Sequence, residues 1–151
     1  MKSLTPLLVF ALLCSALRAQ DPVVVKTDDV PAITVSPGVI LKELTGRTSA
    51  GSSKSQKCSV AFFHLDAGAA SAWSYTKVAE ESFFILKGHG DVWTNGHAQA
   101  VEPGSFILIP PKMVRSLRAD KGETVEFYAI TSPAWSPTDD VMAQPPVGFQ
   151  K

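Results

Sequence analysis

Turn-forming residues recur along this chain and divide it into short segments. Its 151 residues include 11 prolines and 10 glycines, and no stretch longer than a turn or two has the apolar period of a helix. The segments between turns, such as Ser59–Leu65 (SVAFFHL), have strand composition. Asn95-Gly96 lies between two such segments, and this dipeptide favours the tight turn of a β-hairpin. The sequence therefore predicts an all-β sandwich or barrel of about seven or eight strands.

The first residues have the features of a cleavable signal peptide. Lys2 supplies a positive charge, Leu4–Leu13 is an apolar run, and small residues suited to cleavage follow. We expect residues 1–19 to be removed and the protein to be secreted or periplasmic. A lipoprotein is the lesser alternative, because no small residue directly precedes Cys14. The apolar run is too short to cross a bilayer and no later segment is longer, so we expect no integral membrane span.

Cleavage changes the charge and the cysteine count. Without Lys2 and Arg18 the chain has 12 basic and 14 acidic residues, a net charge of −2. A basic face for nucleic acid is therefore not expected. Cys58 would be the sole remaining cysteine, which excludes an internal disulfide. It is expected to pack as a small apolar residue rather than act as a reactive thiol.

The strand and turn pattern divides the mature chain into three parts. Residues 20–37 form an N-terminal segment, residues 38–132 carry the predicted barrel, and residues 133–151 form a proline-rich C-terminal tail. Trp135 is the residue of the tail that we expect to pack on the barrel. The length and a hydrophobic content of 45% suit one domain with a packed core.

Two spaced motifs resemble those of the cupin superfamily. The first family motif is Gly, five residues, His, one, His, three or four, Glu, six, Gly, and here Gly68, Ser74, Thr76, Glu81 and Gly88 have that spacing. The resemblance covers about residues 38–132 and implies a cupin-type jelly-roll β-barrel in a single domain.

The second family motif is Gly, five residues, Pro, one, Gly, two, His. Gly104 and Pro110 match it, whereas Lys112 stands at the second glycine and Arg115 at the histidine. In the cupins the histidines and the glutamate hold a divalent transition metal. Hydroxyls are weak ligands and a guanidinium cannot ligate a cation, so we expect no metal and no other cofactor here.

The resemblance implies that the former metal centre holds a different set of groups. Glu81 and Arg115 should both point into the barrel and form an ion pair, with Ser74 and Thr76 satisfying the remaining polar groups. One interpretation is an internal salt bridge that fills a retired site. The other is a ligand site for a small anionic or hydroxylated molecule. Strand alternation places Phe83 on the face of Glu81.

A histidine, a second glutamate and three aromatic residues are further candidates for the site, and two further functions are possible. His64 could face the cavity as a ligand-binding residue, and a relocated metal site built from His64, Glu80 and Glu81 is conceivable. Trp73, Tyr75 and Trp93 could line the cavity mouth. An enzyme (a dioxygenase, isomerase or lyase) would use relocated metal ligands or Glu81 as acid or base, but a paired carboxylate is a poor base near neutral pH. No catalytic residue is assigned. A structural module that forms homodimers is the third hypothesis.

Overall fold

The computed structural model describes residues 21–51 and 53–146. The predicted signal peptide, residues 1–19, lies outside the described residues. The described part contains a short 3₁₀-helix, Thr27–Asp29, and eleven strands: β1 Ile33–Ser36, β2 Val39–Thr45, β3 Ser59–Leu65, β4 Ser74–Thr76, β5 Glu80–Lys87, β6 Gly90–Thr94, β7 His97–Val101, β8 Phe106–Ile109, β9 Arg115–Ala119, β10 Val125–Ser132 and β11 Asp140–Met142. None of the described helices is long and apolar enough to span a membrane.

The strands form two antiparallel sheets. The larger sheet has the order β1-β2-β3-β10-β5-β8, and the smaller sheet has the order β11-β4-β9-β6-β7. Their facing sides enclose one apolar cluster that includes Leu65, Ile85, Leu117 and Phe127, each at most 1% exposed. This two-sheet, all-β architecture confirms the predicted jelly-roll fold.

Strand β5 shows how alternation divides the chain between core and surface. Glu81, Phe83 and Ile85 are buried, whereas Phe84 and Leu86 on the opposite face are exposed. Successive side chains of a strand point to opposite faces, so Glu81 shares the inner face with Phe83 as predicted.

The tight turns lie where the sequence predicted them. Asn95 and Gly96 connect β6 to β7 with φ angles of 49° and 81°, the positive values that a type I′ turn requires. Gly88, with φ of 78°, follows β5, and a Cβ at this position would lie 1.8 Å from the carbonyl oxygen of Thr124. Only glycine fits between these two backbone segments.

The sheets extend beyond the range predicted for the barrel. Strand β1 lies in the N-terminal segment 20–37 and β11 lies in the tail 133–151. Strands β1 and β11 are only four and three residues long, too short to show an apolar pattern. They form through antiparallel pairing with β2 and β4, respectively. The Asp139 carboxylate fixes the tail by accepting hydrogen bonds from the backbone N–H groups of Val78 and Ala79 at 2.9 and 3.1 Å.

The outer face of the larger sheet carries exposed apolar side chains beside its edge strand β8. Phe106 is 60% exposed and Leu108 is 53% exposed, and Phe84 on β5 lies opposite Phe106. Strand β8 is terminal in its sheet, so one of its edges has no β partner among the described strands. An apolar edge strand without charges is a surface that pairs with other chains.

The homodimer predicted from the sequence stays a prediction, and this edge supplies its test. We expect sedimentation equilibrium to show a dimer at micromolar concentration and Leu108→Lys to weaken dimerisation at least about tenfold, because a charge replaces apolar contact area. Val78→Lys, at a residue that is 70% exposed elsewhere, is the matched control. A monomer at micromolar concentration contradicts the prediction.

Candidate functional site

Three strands bring the four motif residues to the interior of the barrel. Ser74 and Thr76 lie on β4, Arg115 begins β9, and Ser74 and Arg115 are directly opposite each other in the smaller sheet. Glu81 comes from β5 of the larger sheet. All four residues are buried. The motif spacing therefore brings polar groups from both sheets together inside an otherwise apolar core.

An ion pair connects the two sheets at this point. Arg115 Nε donates a hydrogen bond to Glu81 Oε2 at 2.5 Å, and Arg115 Nη1 donates a second hydrogen bond to Ser74 Oγ. The Arg115 and Glu81 side chains are only 9% and 8% exposed. The pairing that the motif positions predicted is present, and Ser74 has its expected part in it.

Thr76 does not join this hydrogen-bond network. Its Oγ1 donates to the carbonyl oxygen of Ala79 at 2.5 Å, within the turn between β4 and β5. The expectation that Thr76 satisfies the ion pair is therefore wrong, because the nearby backbone carbonyl takes its hydroxyl hydrogen. Thr76 stabilises the turn that places Glu81, and it does not line the cavity.

Asp140 is a second carboxylate at the site, and it was not predicted from the sequence. Strand β11 places Asp140 opposite Thr76, and Asp140 Oδ1 lies 3.8 Å from Arg115 Nη2. This oxygen is buried and accepts no hydrogen bond from the described residues. A buried acceptor without a donor costs about 1–3 kcal/mol. The flanking sequence, Pro137-Thr138-Asp139 and then Val141, has no alternation that would have marked a strand.

The ion pair lines a cavity of about 440 Å³. Phe63, Phe83 and Phe127 form much of its wall, with ring centroids 5.0 Å apart for Phe63 and Phe127 and 4.9 Å apart for Phe83 and Phe127. Ile33 on β1 and Met142 on β11 also line it and are 54% and 69% exposed. The cavity therefore opens to solvent beside β1 and β11, each of which is an edge strand of its sheet.

Glu43 on β2 is a further carboxyl group in the cavity lining. Burial raises the pKa of Glu43 above its ordinary value, because the apolar surroundings disfavour the charged form. The sequence analysis did not select this residue, since a glutamate in a strand has no distinguishing pattern.

His64 lies on the other face of β3 and does not reach the cavity. It lines a separate outer groove with Phe62 and Tyr128, and its Nδ1 is 3.3 Å from Glu126 Oε1. The expectation that His64 faces the cavity is wrong: Ala61 and Phe63 line the cavity from the inner face, so alternation turns the intervening Phe62 and the following His64 outward.

The aromatic residues at the cavity also differ from the prediction. Trp73 packs edge-to-face on Trp93 with ring centroids 6.3 Å apart, and neither these tryptophans nor Tyr75 lines the cavity. Ser74 faces the cavity, so its neighbours Trp73 and Tyr75 turn away from it. Trp135 from the C-terminal tail lines the cavity instead, and its backbone N–H donates to Ser59 Oγ at 2.5 Å.

The residues at the site do not suit a divalent transition metal. Glu81 is bonded to a guanidinium, which repels a cation, and the neighbouring donor is the hydroxyl of Ser74. The relocated set does not converge either, because His64 and the exposed Glu80 lie away from the cavity that Glu81 lines. Among residues 21–51 and 53–146, no group of three or more His, Cys, Asp and Glu side chains is arranged to hold an ion.

The two ends of the ion pair should respond differently to mutation. Arg115→Met leaves the buried Glu81 and the partly buried Asp140 as carboxylates without a cation, and we expect a loss of about 3–5 kcal/mol in the free energy of unfolding. Glu81→Gln should cost less, because Arg115 retains Asp140 at 3.8 Å. Urea denaturation measures both values, with Lys121→Met, an exposed cation, as the control. An equal or greater loss in Glu81→Gln contradicts this arrangement.

Comparison with known proteins agrees with the geometry of the fold. Residues 61–131 match the cupin domain family, while no curated protein sequence matches the chain. A nucleoside dehydratase from Streptomyces has 12% identity and a TM-score of 0.67, with 82% of this chain and 92% of that chain covered. The polyketide cyclase RemF from Streptomyces resistomycificus has 18% identity and a TM-score of 0.65, with 82% and 88% covered.

A third structure has the same architecture. An uncharacterized protein from Klebsiella pneumoniae with a double-stranded β-helix domain has 13% identity and a TM-score of 0.66, with 82% of this chain and 99% of that chain covered. At these identities the structural likeness concerns the fold. Residues 61–131 are therefore a cupin domain, and the two sheets around it have the double-stranded β-helix fold.

Proposed function

We propose that this protein is an exported cupin that binds a small ligand in its barrel without a metal. The observation that carries the proposal is the cavity of about 440 Å³, which combines an apolar wall with a buried polar end at Ser74, Glu81 and Arg115. Ligand sites in proteins are typically concave, largely apolar and of this volume, with a few fixed polar groups.

Access to the cavity supports the same function. The exposed Ile33 and Met142 flank an opening between the edge strands, so a ligand reaches the ion pair without crossing the core. Arg115 is held from two sides by Glu81 and Ser74, and a group fixed in this way is preorganised for a ligand. Of the two ligand types expected from the sequence, a hydroxylated one suits these groups better than an anionic one, because Asp140 adds a negative charge.

A second candidate function is metal-free enzymatic catalysis. A nucleoside dehydratase and a polyketide cyclase share this fold, and a variant of the Streptomyces protein was solved with uridine. Glu81 is a buried carboxyl group at the cavity end, where an acid or base would contact a substrate. Glu81 Oε2 already accepts a hydrogen bond from Arg115 Nε, which favours binding over catalysis. A catalytic activity that the Glu81→Gln variant loses would favour catalysis over binding.

Filling the cavity tests the binding function. We expect the neutral fluorescent probe N-phenylnaphthylamine to bind saturably and Ala129→Leu to weaken its affinity at least about tenfold, because Ala129 lines the cavity and is 5% exposed. Ala98→Leu makes the same change at an exposed residue of β7 and should leave binding unchanged. Equal affinity in both variants would show that the probe binds elsewhere and would contradict the proposal.

Elemental analysis tests the absence of a metal from the proposed function. We expect purified protein to contain no stoichiometric transition metal after dialysis, because the Arg115 guanidinium is bonded to Glu81 and repels a cation. A metal that survives dialysis would contradict this part of the proposal.

Export is tested separately from ligand binding. We expect the mature protein to begin at or near residue 20, so that mass spectrometry of the exported form shows a loss of the first 19 residues. Retention of Leu4–Leu13 in the mature protein would contradict this prediction.

A further inference from the structure

The charges that line the cavity do not balance. The ionisable lining residues are Glu43, Glu81, Arg115 and Asp140, three carboxyl groups and one guanidinium. With all four ionised the formal charge is −2, and protonation of Glu43, whose pKa burial raises, leaves −1. An anion in this cavity meets repulsion that the low dielectric surroundings strengthen, whereas a cation is attracted.

The guanidinium is committed to Glu81 and Ser74. Arg115 Nε is 2.5 Å from Glu81 Oε2 and Nη1 donates to Ser74 Oγ, whereas Nη2 is 3.8 Å from Asp140 Oδ1. The last distance is too long for a hydrogen bond. Arg115 therefore neutralises Glu81 more completely than Asp140, and the excess negative charge of the site lies at Asp140.

Asp140 is both poorly satisfied and accessible to a ligand. Its Oδ1 is enclosed and accepts no hydrogen bond within the described part of the chain. The side chain as a whole is 23% exposed and lines the cavity, so a ligand can contact the carboxylate. A ligand donor therefore reaches the exposed part of this carboxylate rather than the enclosed Oδ1, and a cationic donor offsets the negative charge that Arg115 leaves there.

The apolar part of the cavity wall indicates which group of a ligand it would contact. Phe63, Phe83 and Phe127 present aromatic surface to the cavity, and Ala61 and Ala129 leave space between these rings. Aromatic faces bind apolar groups and also attract cations through their quadrupoles. Wall and charge together suit a molecule with an apolar body and a positively charged donor group.

We propose that the ligand of this cavity is a small amphiphilic amine, with its apolar body against the phenylalanines and its protonated amino group hydrogen-bonded to Asp140. This inference rests on the proposed function, since it requires the cavity to be a ligand site. It assigns an amine instead of the hydroxylated ligand considered above, because an amine both donates hydrogen bonds and compensates the charge of Asp140, whereas a hydroxyl only donates.

Three probes with one carbon skeleton test the proposal: phenylpropylamine, phenylpropanol and phenylpropanoate. Isothermal titration at neutral pH should give affinities in the order amine, alcohol, carboxylate, with the amine at least about tenfold tighter than the carboxylate. In Asp140→Asn the affinity for the amine should fall about tenfold and that for the alcohol should change less than threefold. Asp120→Asn, which removes the same charge at an exposed position, is the matched control and should keep the order.

The outcomes separate this inference from the proposed function. Binding of the carboxylate as tightly as the amine overturns the amine proposal and leaves a ligand cavity in place. An unchanged affinity for the amine in Asp140→Asn, with a thermal midpoint near that of the parent protein, also overturns it. Absence of binding by all three probes counts against the proposed function itself. The comparison of probes on the parent protein remains decisive where the Asp140 variant does not fold.

Discussion

The hydrogen-bonded ion pair of Arg115 and Glu81 determines the character of the barrel interior. It joins a strand of the smaller sheet to a strand of the larger sheet, and both side chains are nearly inaccessible to solvent. Taking two charges out of water is costly, and the attraction between them offsets this cost only when the geometry is good and the remaining polar groups are bonded. Ser74 satisfies one of these groups. The pair therefore fixes how the sheets meet at this point without providing a strong net stabilisation.

The same pair determines how the polar groups of this barrel are compensated. By the spacing of the motif, Arg115 stands where the cupin pattern has a histidine, and its guanidinium has directed N–H groups and cannot ligate a cation. A transition ion attracts several acidic and imidazole ligands, whereas this guanidinium holds one carboxylate closely and a second one at 3.8 Å. The second carboxylate is therefore the less completely compensated of the two.

The sequence predicted the barrel and the central residues of the site, but it did not predict the short terminal strands or Asp140. Alternation in β5 and the spacing of the two motifs placed Ser74, Glu81, Phe83 and Arg115 correctly, because both are local patterns with a fixed geometric meaning. Asp140 escaped prediction because β11 is three residues long and forms only through its pairing with β4. A strand that depends on a tertiary partner leaves no pattern of its own.

His64 and Thr76 failed for different physical reasons. His64 belongs to a strand that is apolar on both faces, so composition alone did not decide which face points inward. Thr76 is buried as expected, but the carbonyl of Ala79 competes successfully for its hydroxyl. A threonine beside a turn commonly makes such a local bond to the backbone. Burial was predictable in this case, and the choice of hydrogen-bond partner was not.

The two strands that flank the cavity opening, β1 and β11, are also the terminal strands of their sheets. Each is hydrogen-bonded to a neighbour along one side only and is three or four residues long. Separating such a strand from its neighbour breaks few hydrogen bonds. The free energy of this local opening is therefore well below the free energy of global unfolding. A ligand of the proposed cavity site would therefore exchange through brief local opening of β1 or β11 while β3, β5 and β10 stay paired, and its rate of release would not depend on the stability of the domain.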